Sequence, residues 1–208
     1  MPTGTTPAAH AQLRASTESA ALDRAATAFS GRRLAAVAHA STTSGYVIGH
    51  REEVHLIERL SQRFGVPAVA SCAAVAAALR THGVEHVQLV HPPWFDEEFD
   101  ELGAAYFRRH GFEAVVTKAL GLPDDPARVA PQDVINWVEH HAEYRAEALL
   151  LAGNGFRAAD AIEELELRTG RLVLEANQAL LWAILAVTGM GWDITGYGRL
   201  LRASTSTT

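Results

Sequence analysis

The chain has 208 residues with 18 basic and 24 acidic side chains, a net charge of −6 and 48% hydrophobic residues, enough for one sizeable core or two small lobes sharing one. The acidic balance leaves no basic surface for nucleic acid, and no apolar run approaches the ~20 residues of a membrane span, so neither partner is expected. One cysteine, Cys72, excludes an intrachain disulfide and a cysteine-built zinc cluster and fits a cytoplasmic location, while the one lysine, Lys118, is the only residue open to Schiff-base chemistry.

Residues 1–16, rich in Thr, Ala, Pro and Gly, read as a flexible arm with no apolar core of signal-peptide length. Helically spaced apolar residues behind a Ser/Thr cap predict a helix over 17–30, ended by Gly31, and 34–40 reads as the first strand. Residues 41–50 form a polar loop of small hydroxyl residues and glycine. An amphipathic helix follows over 52–64, with Val54, Ile57, Leu60 and Phe64 on one face and Gly65 closing it. Further strands are expected at 67–71, 86–90, 113–117, 148–152 and 172–175, with helices at 73–81, 96–110, 132–144, up to 169 and at 178–188. This alternation predicts an α/β fold with parallel sheets flanked by helices, a single unit over 17–201 followed by a polar tail at 202–208.

The unit contains a repeat. Ile57-Glu-Arg-Leu-Ser-Gln-Arg-Phe-Gly65 matches Ile162-Glu-Glu-Leu-Glu-Leu-Arg-Thr-Gly170 at Ile, Glu, Leu, Arg and Gly in register, and both segments sit between a strand with a polar loop and a short strand. Chance likeness between amphipathic helices is the alternative to duplication. Duplication implies two pseudo-symmetric halves, about 33–90 plus 178–201 and about 91–177. Their loops at 41–50 and 153–157 would then face one another across a cleft.

Ligands of open α/β sheets bind beyond the carboxyl ends of the strands, where backbone N–H groups and helix starts favour anions. The first loop offers Ser41, Thr42, Thr43, Ser44 and Tyr46, and the second Gly153, Asn154 and Gly155, donors suited to a carboxylate or an enolate oxygen. Helix capping is the competing role for the hydroxyl run. Of ten histidines, His39, His50 and His91 fall on the presumed ligand side. His39 precedes Ser41 by two residues, so on a strand both side chains share a face, as a base and hydroxyl pair or with His39 as a structural residue. No spaced ligand set points to a metal.

Leu149-Leu-Leu-Ala-Gly-Asn-Gly-Phe-Arg-Ala-Ala-Asp-Ala-Ile162, Asn177-Gln-Ala179 before an apolar helix, the Ser41–Tyr46 loop and the closing Gly-Tyr-Gly-Arg-Leu-Leu resemble the aspartate/glutamate racemase superfamily, in its maleate isomerase and arylmalonate decarboxylase branch. The resemblance covers about 34–201. It implies a cofactor-free isomerase, racemase or decarboxylase that acts on a small carboxylic acid through an enediolate-like intermediate, with Asn177 among the binding residues. It also implies a cysteine on one or both loops. Here Ser41 and Gly153 stand at those positions, so a catalytically inactive carboxylate-binding homologue is the alternative. The family's opening strand has no counterpart before residue 34, which leaves a sheet edge and makes a homodimer conceivable.

Overall fold

The computed structural model describes residues 7–153 and 156–202. Two helices, α1 (Pro7–Ala15) and α2 (Ser19–Thr27), lead into an alternating series. It runs β1 (Val37–His39), α3 (Thr42–Phe64), β2 (Ala68–Ala70), α4 (Ser71–Thr81), β3 (His86–His91), α5 (Glu97–Arg109) and β4 (Glu113–Lys118). After these come α6 (Pro131–His141), β5 (Ala148–Leu151), α7 (Ile162–Thr169), β6 (Leu172–Glu175) and α8 (Ala176–Thr188). All pairings are parallel, because each strand is followed by a helix that carries the chain back to the sheet's starting side. One sheet has the order β4-β3-β5-β6 and the other pairs β1 with β2.

The four-stranded sheet is covered on both faces, which explains why β5 and β6 are buried along their whole length. On one face Leu89, Leu150 and Leu174 pack with Val75 and Leu79 of α4, Phe107 of α5 and Leu180 of α8. On the other, Leu149, Leu151 and Val173 meet Val134 and Val138 of α6 and Ile162 and Leu165 of α7. The smaller sheet rests on Leu56 and Leu60 of α3 and Leu22 of α2.

Two expectations are corrected. Residues 7–15, read as part of a loose arm, are helical, with Ala9 buried and Leu13 packed on the main core. The stretch 41–50, read as a loop, is the start of α3. Ser41 is the N-cap, its Oγ accepting the Ser44 N–H at 3.1 Å, and the Gly45 N–H reaches the Ser41 carbonyl at 3.2 Å. Small hydroxyl residues at a strand end satisfy the unpaired N–H groups of a helix, so they begin it rather than delay it. Helical geometry is interrupted instead at Gly49 (φ 76, ψ 169), where α3 kinks.

In the register that aligns Ile57 with Ile162, Gly65 falls on Gly170, both left-handed helix caps, and Ala70 falls on Glu175, the N-caps of α4 and α8. The segment β1-α3-β2-α4 thus matches β5-α7-β6-α8 element by element. β5 has β3 beside it, whereas β1 has no second strand neighbour among the described residues. The first six residues of the expected arm and residues 203–208 of the tail lie outside the described residues.

Between α3, α4 and α5 sits a carboxyl group, Glu53, that is 1% exposed. The Tyr106 hydroxyl donates to Oε2, while Oε1 makes no hydrogen bond. Burial pushes Glu53 from the usual 4.5 up to about 7, against the opposing pull of Tyr106 and of the Cys72 and Ala73 amides. The folded state therefore favours the protonated form. Stability from this source is fully present below the unfolded value and is lost as pH rises through 7. Glu53→Gln should gain on the natural chain by roughly 2.5 kcal/mol between pH 5 and pH 8 in urea unfolding, and a pH-independent difference would contradict the assignment.

Candidate functional site

Polar side chains collect at the carboxyl ends of β1, β3 and β4. At the end of β1, Ser41 Oγ lies 2.8 Å from Ser44 Oγ and 3.3 Å from Thr43 Oγ1, so its hydroxyl belongs to the cap. Thr42 is 1% exposed, and its Oγ1 has no hydrogen-bond partner among the described residues. The Thr42 and Thr43 N–H groups open the first turn, where no intrahelical acceptor exists, and they carry the positive end of the helix. The Ser41 N–H donates to the His39 carbonyl at 3.2 Å, but among the described residues no side-chain hydrogen bond joins the His39 imidazole to the Ser41 hydroxyl. Burial lowers the His39 pKa, which keeps the imidazole neutral near pH 7 and competent as a base.

At the ends of β3 and β4 a second set appears. His91 is completely buried, and its Nδ1 lies 2.7 Å from Asp100 Oδ1 in the first turn of α5. Asp100 Oδ2 meets Lys118 Nζ at 3.0 Å, and Lys118 is the β4 residue paired with His91. Burial lowers the His91 pKa and outweighs the nearby carboxylate, so the ring is neutral, with its proton on Nδ1 donated to Asp100. Burial pulls Asp100 upward, but His91 and Lys118 overcome it and hold the carboxyl below its usual range. The unprotonated His91 Nε2 faces the Tyr46 hydroxyl at 3.5 Å. Room for this pair comes from Gly103 of α5, where an added Cβ would sit 2.8 Å from His91 Cε1 and 2.9 Å from Tyr46 Cε2.

At the end of β5, Gly153 is buried with φ 104. A Cβ there would approach Pro92 Cγ at 3.1 Å and Phe95 Cζ at 3.2 Å. Phe95 meets His91 edge-on at 5.2 Å, and Trp94 meets Phe156 edge-on at 6.0 Å. The segment from His91 to Phe95 therefore touches Tyr46 on one flank and Gly153 on the other, and it forms an apolar wall beside the β5 end. From the outside, α1 closes on the same region, with His10 against Phe99 at 4.6 Å and Ser16 Oγ 3.5 Å from Ser44 Oγ.

The expected site residues thus divide. Ser41, Thr42, Thr43, Ser44 and His39 share the β1 end, while His91 and Gly153 lie along the wall. Tyr46 is 2% exposed and packs among His91, Tyr106 and Phe107, so it is a core residue rather than part of a loop. His50 opens the second helical segment of α3, just past the Gly49 kink, and is exposed roughly 12 Å along α3 from Thr42. Asn177 is held by the N-cap of α8, donating Nδ2 to Glu175 Oε1 at 2.9 Å. Asn154 and Gly155 lie outside the described residues. Asp100 and Lys118 were missed as partners of His91, although the pairing of adjacent strand ends and the uniqueness of Lys118 pointed there. Cys72 is fully buried with its thiol pKa raised by burial and by Glu53, so it stays protonated. Among the described residues no group of three acidic, His or Cys side chains is placed to hold a metal.

Parallel strands with helices on both faces define an α/β protein of the open-sheet class. The chain belongs to the arylmalonate decarboxylase family, whose model matches residues 18–201. It is similar in structure to arylmalonate decarboxylase, with a TM-score of 0.79 and 24% identity over 88% of this chain and 81% of that one. It is likewise similar to the maleate isomerase Iso from Pseudomonas putida S16, with a TM-score of 0.81 and 23% identity over 95% and 80% of the two chains. A stretch of 94 residues is 29% identical to histidinol-phosphate aminotransferase 1 of Psychrobacter arcticus, covering 44% of this chain. The chain spans 25% of the length of that curated relative. No helix among the described residues is long and apolar enough to cross a membrane.

Two outcomes follow for the site. Cys72 should resist a thiol reagent in the native protein, whereas Ser41→Cys, at an extended N-cap, should add one fast-reacting thiol whose pKa the helix start lowers; equal reactivity of the two would refute the burial assignment. Gly103→Ala should destabilise the fold by about 1–3 kcal/mol by overpacking His91 and Tyr46, read from the urea midpoint.

Proposed function

We propose that the chain is a cofactor-independent enzyme acting on a small carboxylic diacid through an enediolate-like intermediate, and that decarboxylation of a malonate-type substrate is its reaction. What supports this reading is that the first turn of α3, whose N–H groups have no intrahelical acceptor, stands at one strand end and an apolar wall at the end of β5. One substrate carboxylate is held by the Thr42 and Thr43 N–H groups and by the Thr43 hydroxyl. Its oxygens gain charge as the bond from the α-carbon to the second carboxylate breaks, and fixed donors stabilise that charge. The second carboxylate lies against Pro92, Trp94 and Phe95, where a charge is poorly solvated and neutral CO₂ is not. The bond's electron pair stays on the α-carbon as the enediolate, and His39 relays one proton from water to that carbon.

Cis–trans isomerisation or racemisation by a thiol is a poorer fit. Addition to a double bond needs a nucleophile, and the one cysteine is buried and protonated. That same fact favours a second reading, a homologue that binds carboxylates without turnover.

Turnover of aryl- and alkylmalonates in D₂O should release CO₂ and leave one deuterium on the α-carbon. His39→Ala should lower kcat by about 10²–10⁴-fold with little change in binding. Saturable binding of a malonate without CO₂ release or exchange selects the silent homologue, and the absence of both binding and turnover removes both readings.

A further inference from the structure

A second constellation, unconnected with the strand ends, gathers where the lower parts of α3, α4 and α5 meet. Because Gly49 interrupts α3, the segment from His50 to Phe64 starts afresh there and sets the positive end of its dipole at His50. The Arg109 guanidinium lies over this break, with Nη1 3.7 Å from the position a Gly49 Cβ would take. The His50 and His110 rings meet edge to face at 4.2 Å. Arg80, whose guanidinium also lies 5.6 Å from the Phe112 ring, donates Nη2 to His110 Nδ1. That bond leaves the His110 proton on Nε2, a buried donor without an acceptor.

The groups facing this point from each packed element are His50 on α3, Arg80 on α4, and Tyr106, Arg109 and His110 at the end of α5. Tyr106 lies 4.9 Å from His110, but its hydroxyl is committed to Glu53. No carboxylate pairs with Arg80, Arg109, His50 or His110 among the described residues. The field is one-sided: burial first, then His50 and Arg80, push His110 down to about 4, with no acidic group opposing them. The Arg109 guanidinium, the remaining donors of Arg80, an imidazole N–H and a helix start converge with nothing negative among the described residues to satisfy them.

We propose that the break in α3 is a binding site for a small multivalent oxyanion of the phosphate type, held by Arg80, Arg109, His50 and His110. The anion supplies the acceptor that His110 Nε2 lacks and the charge that the two arginines lack. It sits roughly 12 Å along α3 from Thr42, apart from the strand-end site.

The test is a titration of the full chain with inorganic phosphate at constant ionic strength, set by chloride and read from the His50 and His110 ring resonances. Saturable shifts are expected, with His110 titrating at higher pH when phosphate is bound. Arg109→Gln and Arg80→Gln should each weaken binding about tenfold, and Ser41→Ala should leave it unchanged. Arg109 is exposed, so its variant decides the matter if Arg80→Gln loosens the contact with Phe112. Phenyl phosphate competing at lower concentration than phosphate identifies an organic ester as the occupant, and competition only at higher concentration identifies the free ion. Phosphate acting no differently from chloride, or binding Arg109→Gln as tightly as the natural chain, overturns the proposal.

Discussion

The close approach of α3 to α5 is the constraint on which the strand-end architecture depends. Gly103 removes the one side chain that would keep them apart, and His91 and Tyr46 fill the space it leaves. A buried imidazole is tolerable there only because Asp100 takes its proton-bearing nitrogen and Lys118 balances Asp100 in turn. Those bonds fix where β3 ends and α5 begins. They also fix the turn from Pro92 to Phe95, whose apolar side chains press on Gly153 and stand beside Phe156. One missing Cβ thereby sets the distance between a helix start rich in N–H donors and a wall that repels charge.

The sequence made much of this legible where burial is two-sided. β3 to β6 are found within a residue or so of their expected ranges, because strands covered on both faces read as apolar runs that no surface segment imitates. Signals fail where one residue type serves two structures. Ser41 to Ser44 look like a loop until the cap geometry is seen, and α1 is built from Ala, Gln, Leu and Arg behind a proline that composition alone assigns to an arm. Asp100 was hidden for another reason. On the helix pattern it is an acidic residue in a first turn, the usual solvated place for one, and only the third dimension turns it toward His91.

Chemistry is affected by the same ambiguity. The two positions that a thiol would occupy differ physically, since Ser41 has extended backbone open to any residue, whereas Gly153 has φ 104 and neighbours within 3.1 Å of a notional Cβ. Loss of a side chain at Gly153 is therefore built into the turn, while Ser41 is a free choice made by the cap. The two ends of the proposed cleft are unequal in kind. A side chain at the first costs at most a cap hydrogen bond, whereas one at the second strains the backbone and presses on Pro92 and Phe95.

The small sheet carries a consequence of its own. β1 has β2 on one side and no strand on the other among the described residues, so its outer margin has the hydrogen-bonding pattern that templates strand addition from another molecule. Two features blunt that hazard: the strand is three residues long, and Arg32 and Arg33 stand exposed just before it. Copies meeting margin to margin would bring four like charges together for a handful of backbone bonds, so brevity and repulsion guard against aggregation where a neighbouring strand does not.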